Sequence, residues 1–162
     1  HNYHDTLKRL PPSTIVDTSL TSTGNNGAWG VHGRILHFLE QGNLYENVDI
    51  NQAWDFQAAI DELKIPVFSC PSDPGSLQER DPGKGKVTLW PTSYGFNMGT
   101  WFVYDPATGN GGNGVFFPNS FLRLSSVHDG LSNTILCAEV HCWNPYTRNG
   151  GTSQTNITNT ND

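Results

Sequence analysis

A chain of 162 residues is long enough to fold as one domain around its own core, and it contains no run of about 18 apolar residues that would span a bilayer. Its net charge of -6, with nine Lys plus Arg, leaves no basic stripe to neutralise phosphates, which argues against nucleic acid and anionic membrane surfaces as partners. Seventeen Gly and ten Pro predict a loop-rich chain, while five Trp, five Tyr and eight Phe supply large apolar surfaces.

The opening HNYHDTLKRL places Tyr3, Leu7 and Leu10 at i, i+4 and i+7, one face of a helix that Pro11-Pro12 stops. No capping residue precedes it, so residues 1–10 are expected to be the last turns of a longer helix. Residues 13–28 are polar and aperiodic and are expected to form a surface loop. Trp29, Ile35, Leu36 and Leu39 suit a short amphipathic helix over residues 29–41, ending at Gly42. Asn51 is placed to cap a further helix carrying Ala53, Phe56, Ile60 and Leu63 on one face, with Pro66 beyond its end.

The stretch IPVFSCPSDPG predicts a short strand entering a turn, and QERDPGKGK an exposed segment. From Val87 onward the runs VTLW, TSYGFNMG, WFVY, GVFF and NTILCAEV alternate with turn clusters, the pattern of an antiparallel meander. Helices first and a sheet afterwards make the expected fold class α+β. Residues 146–162 are almost free of apolar side chains and are expected to be a polar, flexible tail on a head formed by residues 1–145. The tail contains the glycosylation sequon Asn156-Ile157-Thr158.

Three cysteines, at 70, 137 and 142, form no metal-binding or redox dipeptide spacing. On one continuous strand Cys137 and Cys142 would stand about 16 Å apart, beyond disulfide reach, whereas either can meet Cys70 across a sheet.

His128, Asp129 and Ser132 have the residue types of a hydrolase. Residues in one tight turn rarely reach triad geometry, and Asp129-Gly130 is better suited to turning the chain into a buried strand from Thr134 to Val140, with Glu139 as a polar member. His1 with His4, His32 with His37, and Cys137 with His141 and Cys142 lack zinc-site spacing. Asp105, Thr108, Asn110 and Asn113 on the loop DPATGNGGN are candidate oxygen ligands for calcium. Trp90, Trp101, Tyr104 and Trp143 are candidates for stacking against a polysaccharide.

HNYHDT with its Pro-Pro stop, FLEQGNLYENVDINQAW, FSCPSDP, TSYGFNMG, NGVFF and DGLSNTILCAE occur here in an order that resembles the planctomycete-type DUF1559 family of prepilin-like proteins. The resemblance covers roughly residues 1–145. It departs at His32 and His37, where relatives carry apolar residues or Pro, and at the C-terminus, where an Asn/Thr-rich tail stands in place of a His-Gly-Gly ending.

The resemblance implies a leader removed by a prepilin peptidase and a long apolar helix upstream, with residues 1–10 as its end packed on an antiparallel sheet. It implies a structural subunit of a surface filament or secretion-type assembly, with no catalytic residues and no obligatory cofactor, whose partners are other pilin-like subunits. Its only membrane contact would be through the upstream helix, and its location would be the cell surface or periplasm. It also implies that Cys70, whose usual partner lies in that helix, is unpaired or joined to Cys137. The alternative is an extracellular module binding polysaccharide or calcium on the same scaffold.

Overall fold

The computed structural model describes residues 1–17, 19, 29–100, 103–105 and 107–143. The predicted tail, its sequon, Trp101 and most of the 13–28 loop lie outside the described residues. Among those described, helices and sheets are short and loops join them, so the α+β class holds.

Helix α1 spans Asn2–Leu7 and ends where Lys8 turns into the left-handed region (φ 58°), its N–H donating to the His4 carbonyl. Leu10 lies beyond the helix, because a residue preceding proline is driven out of helical conformation. None of α1's residues is buried, and Leu7 is 45% exposed. The expected apolar face is therefore split: Tyr3 meets Phe38 edge-on at 5.5 Å, and Leu10 alone enters the core. The ring contact of Tyr3 thus sets the helix against residues 36–39.

Leu10 clusters with Val31, Val115 and Phe116, flanked by Ile35, Phe96, Leu124, Val127 and Leu136. Its N–H donates to the Leu122 carbonyl (2.7 Å), fixing the N-terminal segment to a part of the chain far away in sequence. Pro11, Pro12 and Ser13 are also buried, and Asn119 binds the backbone of Thr14 and Val16, so the start of the expected surface loop is packed into the fold.

The helix expected over 29–41 is present as α2, Val31–Ile35, continued by the 3-10 turn Leu36–Leu39. It ends at Glu40, left-handed at φ 60°, and Gly42 starts the next helix, α3, Gly42–Glu46. The helix expected after Asn51 does not form. In its place are the 3-10 turns Trp54–Phe56 and Ala58–Ile60. The Gln57 side chain explains why: its amide donates to the carbonyls of Asp49, Gln52 and Ala53 and accepts the Asp49 N–H, taking backbone groups that an α-helix would use. The Asp49 side chain likewise accepts the Asn51 N–H in a local turn, so Asn51 caps nothing.

Pro66 opens a 3-10 turn, Pro66–Phe68, where a strand was expected. Its ring fixes φ and removes a ladder donor. The run at Val87–Trp90 contributes one antiparallel bridge, Arg80 with Leu89. Among the described residues the meander reduces to two separate antiparallel pairs: β1, Tyr94–Phe96, with β4, Cys137–Glu139, and β2, Tyr104–Asp105, with β3, Asn110–Gly111. In the first pair Tyr94 faces Glu139 and Phe96 faces Cys137.

Val115 and Phe116 are core residues without being a strand, since both donate their N–H to the single Asn97 carbonyl. Just before them Gly114 lies against the backbone of Met98 and Gly99, where a Cβ would approach within 2.0 Å of the Met98 carbonyl carbon. Strand β4 is shorter than expected and its three residues are exposed. Ile135, two residues before it, is 69% exposed, and Glu139 needs no buried partner because it is at the surface.

Candidate functional site

A cavity of about 270 Å³ is lined mainly by apolar side chains, with Trp29, His32, Trp54, Phe68 and Trp90 forming its aromatic wall. Trp29 precedes α2 and lays its ring across the helix at Gly33, where a Cβ would come within 2.4 Å of the indole. Its Nε1 donates to the Gln52 carbonyl (2.8 Å), which joins α2 to the segment carrying Trp54. Trp90 is held on the other side, its Nε1 donating to the Glu62 carbonyl (3.1 Å) and the Lys64 ammonium 4.6 Å from its ring centroid. Trp54 lies near Lys86, whose ammonium pairs with the buried Asp55 carboxylate at 2.9 Å.

His32 stands between the edges of Phe68 and Phe96, with ring centroids 4.9 and 5.0 Å away. Burial among these rings penalises the imidazolium and pulls the His32 pKa below its ordinary value, against a smaller upward pull from a hydrogen bond to the Tyr94 backbone. Among the described residues its buried Nε2 has no hydrogen-bond partner. A neutral imidazole here behaves as an aromatic filler, which fits a position where an apolar residue would also serve.

Of the aromatic residues singled out in the sequence, Trp90 lies on this cavity. Tyr104 is held elsewhere, its hydroxyl accepting from the Asn119 side chain (3.0 Å), and Trp143 donates to the Gly75 carbonyl (3.0 Å) beside the 73–75 turn. Trp29, Trp54 and His32 were not expected as site residues. A sequence pattern does not show that segments near residues 30, 54, 65 and 90 meet.

The calcium candidates occupy the β2–β3 hairpin. Asp105 accepts the Ala107 N–H and the Thr108 hydroxyl, one on each carboxylate oxygen, and these bonds hold its pKa below the usual carboxylate range. Asn113 Oδ1 accepts both the N–H and the hydroxyl of Thr100. Asn110 follows the turn, its N–H on the Thr108 hydroxyl at 3.4 Å. The loop carries one carboxylate, and both of its oxygens close the turn.

His128, Asp129 and Ser132 are exposed and belong to a turn. Gly130 takes φ +87° there, Asn133 donates to the Asp129 carbonyl, and Thr134 donates to the Gly130 carbonyl. The other histidines are also separated: His4 is near Asp5 (3.7 Å), and His37 contacts Phe38 and Tyr45. Among the described residues no three His, Cys, Asp or Glu side chains are grouped so as to hold a metal.

A second cleft, of about 340 Å³, opens between the 70–74 turn and the end of β4, with Cys70, Ser72, Asp73, Glu139 and His141 on its walls. Asp73 accepts the N–H groups of Cys142 (2.8 Å) and Gly75 (2.9 Å), which hold its carboxyl below the usual range. The three cysteines are free thiols, with Cys70 buried, Cys142 half-buried and Cys137 exposed.

Fold and sites together define a loop-rich α+β domain with a small apolar cavity. A family model described as a protein of unknown function (DUF1559) matches residues 1–162, and the chain belongs to that family. No curated protein and no solved structure matches it.

Proposed function

We propose that this chain is the globular head of a pilin-like or pseudopilin-like subunit, a structural and interaction protein that does no chemistry and works at the cell surface or in the periplasm. The observation that supports it best is the way α1 is attached. Leu10 is buried and hydrogen-bonded into the core, yet none of the residues of Asn2–Leu7 is buried and Leu7 is 45% exposed. A helix fixed at its C-terminal end, with its sides left to neighbours, suits a stalk that packs against other copies. Phe121, whose ring lies 4.7 Å from the Arg9 guanidinium, adds a half-exposed aromatic surface beside the helix exit. Membrane attachment in this reading comes from an apolar segment upstream. Among the described residues no helix is long and apolar enough to cross a membrane.

The test is to express the gene with its natural upstream region in its own host and apply zero-length cross-linking to intact cells. The expected result is a ladder of multimers that is lost when Leu7 is changed to Asp, with the variant head still folded. A protein that stays monomeric in intact cells, with no apolar segment upstream, would overturn the reading.

The Trp29, Trp54 and Trp90 cavity favours a second reading, a binding module on the same scaffold. Its walls offer ring faces for a sugar or another flat ligand, with Lys64 beside Trp90. Binding on a glycan array that disappears in Trp90→Ala would support it.

A further inference from the structure

We infer that Cys70 and Cys142 form an oxidisable pair, a cross-linking site that takes a low-molecular-weight disulfide as its oxidant and leaves Cys137 outside. Ser93 carries the argument. It is fully buried, its N–H donates to the Phe68 carbonyl (2.7 Å), and its own carbonyl accepts the Val140 N–H (2.9 Å). It therefore lies between the segment leading to Cys70 and the segment leading to Cys142. Its hydroxyl accepts the Cys70 N–H at 2.8 Å and is 3.0 Å from the Cys142 sulfur. Two consecutive short contacts through one hydroxyl, of 3.0 and 2.8 Å, thus connect the Cys142 sulfur to the Cys70 backbone nitrogen.

The Asp73 carboxylate fixes the second backbone by accepting the Cys142 N–H, and the Asp73 N–H in turn donates to the Cys70 carbonyl (3.3 Å). Both backbones are held while the sulfurs are not yet joined. The Cys70 sulfur is turned to the Ser72 hydroxyl at 3.0 Å and the Cys142 sulfur to Ser93, so bond formation requires both side chains to rotate away from these hydroxyls. Cys137 faces Phe96, three residues and so roughly 10 Å along the strand from Ser93.

Cys142 is half-buried whereas Cys70 is buried, so a small disulfide meets Cys142 first. With oxidised glutathione, the half-buried Cys142 attacks first as its thiolate. A bond forms from Cys142 sulfur to one glutathione sulfur, the glutathione S–S bond breaks, and the departing glutathione thiolate takes up the proton Cys142 lost. The Cys70 thiolate then attacks the Cys142 sulfur, and the second glutathione leaves as its thiol with the Cys70 proton. Two protein thiols are oxidised and one glutathione disulfide is reduced to two thiols.

The test is to incubate the folded chain with oxidised glutathione, quench with acid and map peptides without reduction. The expected result is a linked peptide containing Cys70 and Cys142, two hydrogen masses lighter than the separate peptides, with Cys137 as a free thiol or a glutathione adduct. The link should persist in Cys137→Ser and vanish in Cys142→Ser. A Cys70–Cys137 link would overturn the inference, as would Cys70 and Cys142 remaining thiols or separate glutathione adducts while Cys137 reacts. The wild-type map decides this even if a variant fails to fold.

Discussion

Changing Phe116 and Ile135 to alanine, separately, distinguishes the observed core from the one that hydrophobic pattern suggests. Phe116 is 4% exposed, meets Phe96 edge-on at 5.3 Å and belongs to the cluster with Leu10, Val31 and Val115. Removing a ring so enclosed loses its transfer free energy and leaves a cavity, about 3–5 kcal/mol for Phe→Ala. For a chain of this size that corresponds to a fall in Tm of roughly 6–20 °C. Ile135 is 69% exposed, so its side chain is mostly in water in both folded and unfolded states. Its truncation should cost less than about 1 kcal/mol. Urea unfolding followed by tryptophan fluorescence measures both. Equal losses from the two variants would mean that 134–140 is a buried strand after all, and the arrangement of the core described above would be wrong.

Three further outcomes follow from particular groups. The folded pKa of His32 is below its unfolded value, so its contribution to stability is complete above about pH 6.5 and is lost as the pH falls through the folded value. Thermal unfolding between pH 7 and 5 should show a decline that His32→Phe reduces, while an identical decline in both would remove His32 as its source. Asp73 and Asp105, whose pKa values are also lowered, lose their contribution only below the ordinary carboxylate range, so they do not confuse that window. Gln57→Leu removes the side-chain bonds that shape residues 49–57 and should cost on the order of 1–2 kcal/mol by chemical denaturation. No measurable loss would show that those bonds do not stabilise the turn. Calcium at millimolar concentration should leave the Tm unchanged, since the oxygens of Asp105 already hold the hairpin, and a clear rise in Tm would contradict this.

What could be read in advance depended on how local its cause was. The helix expected over 29–41 and the Asp129-Gly130 turn follow from neighbouring residues and are present, the first as Val31–Ile35 with the turn Leu36–Leu39, whereas the opening helix ends at Leu7, before the prolines expected to stop it. The helix after Asn51 failed although its apolar spacing was good, because a glutamine amide can satisfy backbone groups that the periodicity assigns to a helix. The buried strand after Thr134 failed for a different reason. β-branched and apolar residues show that a segment is suited to pairing, but burial depends on whether another layer is placed over it, and among the described residues β4 pairs with β1 while its own three residues stay exposed.

The candidate sites divide in the same way. Trp90 was a stacking candidate by residue type, but its cavity is made by residues from several distant segments. The nearness of Cys142, and not Cys137, to Cys70 likewise depends on where Ser93 lies between two other segments. Composition and charge needed no fold, the family followed from motifs in their order along the chain, and the local turns from side chains within a few positions of one another. Which apolar residues became the core, which aromatics line a cavity and which thiols adjoin were decided by tertiary structure. Those outcomes depend on contacts across long stretches of chain, where many pairings satisfy the same local preferences and only simultaneous packing selects one.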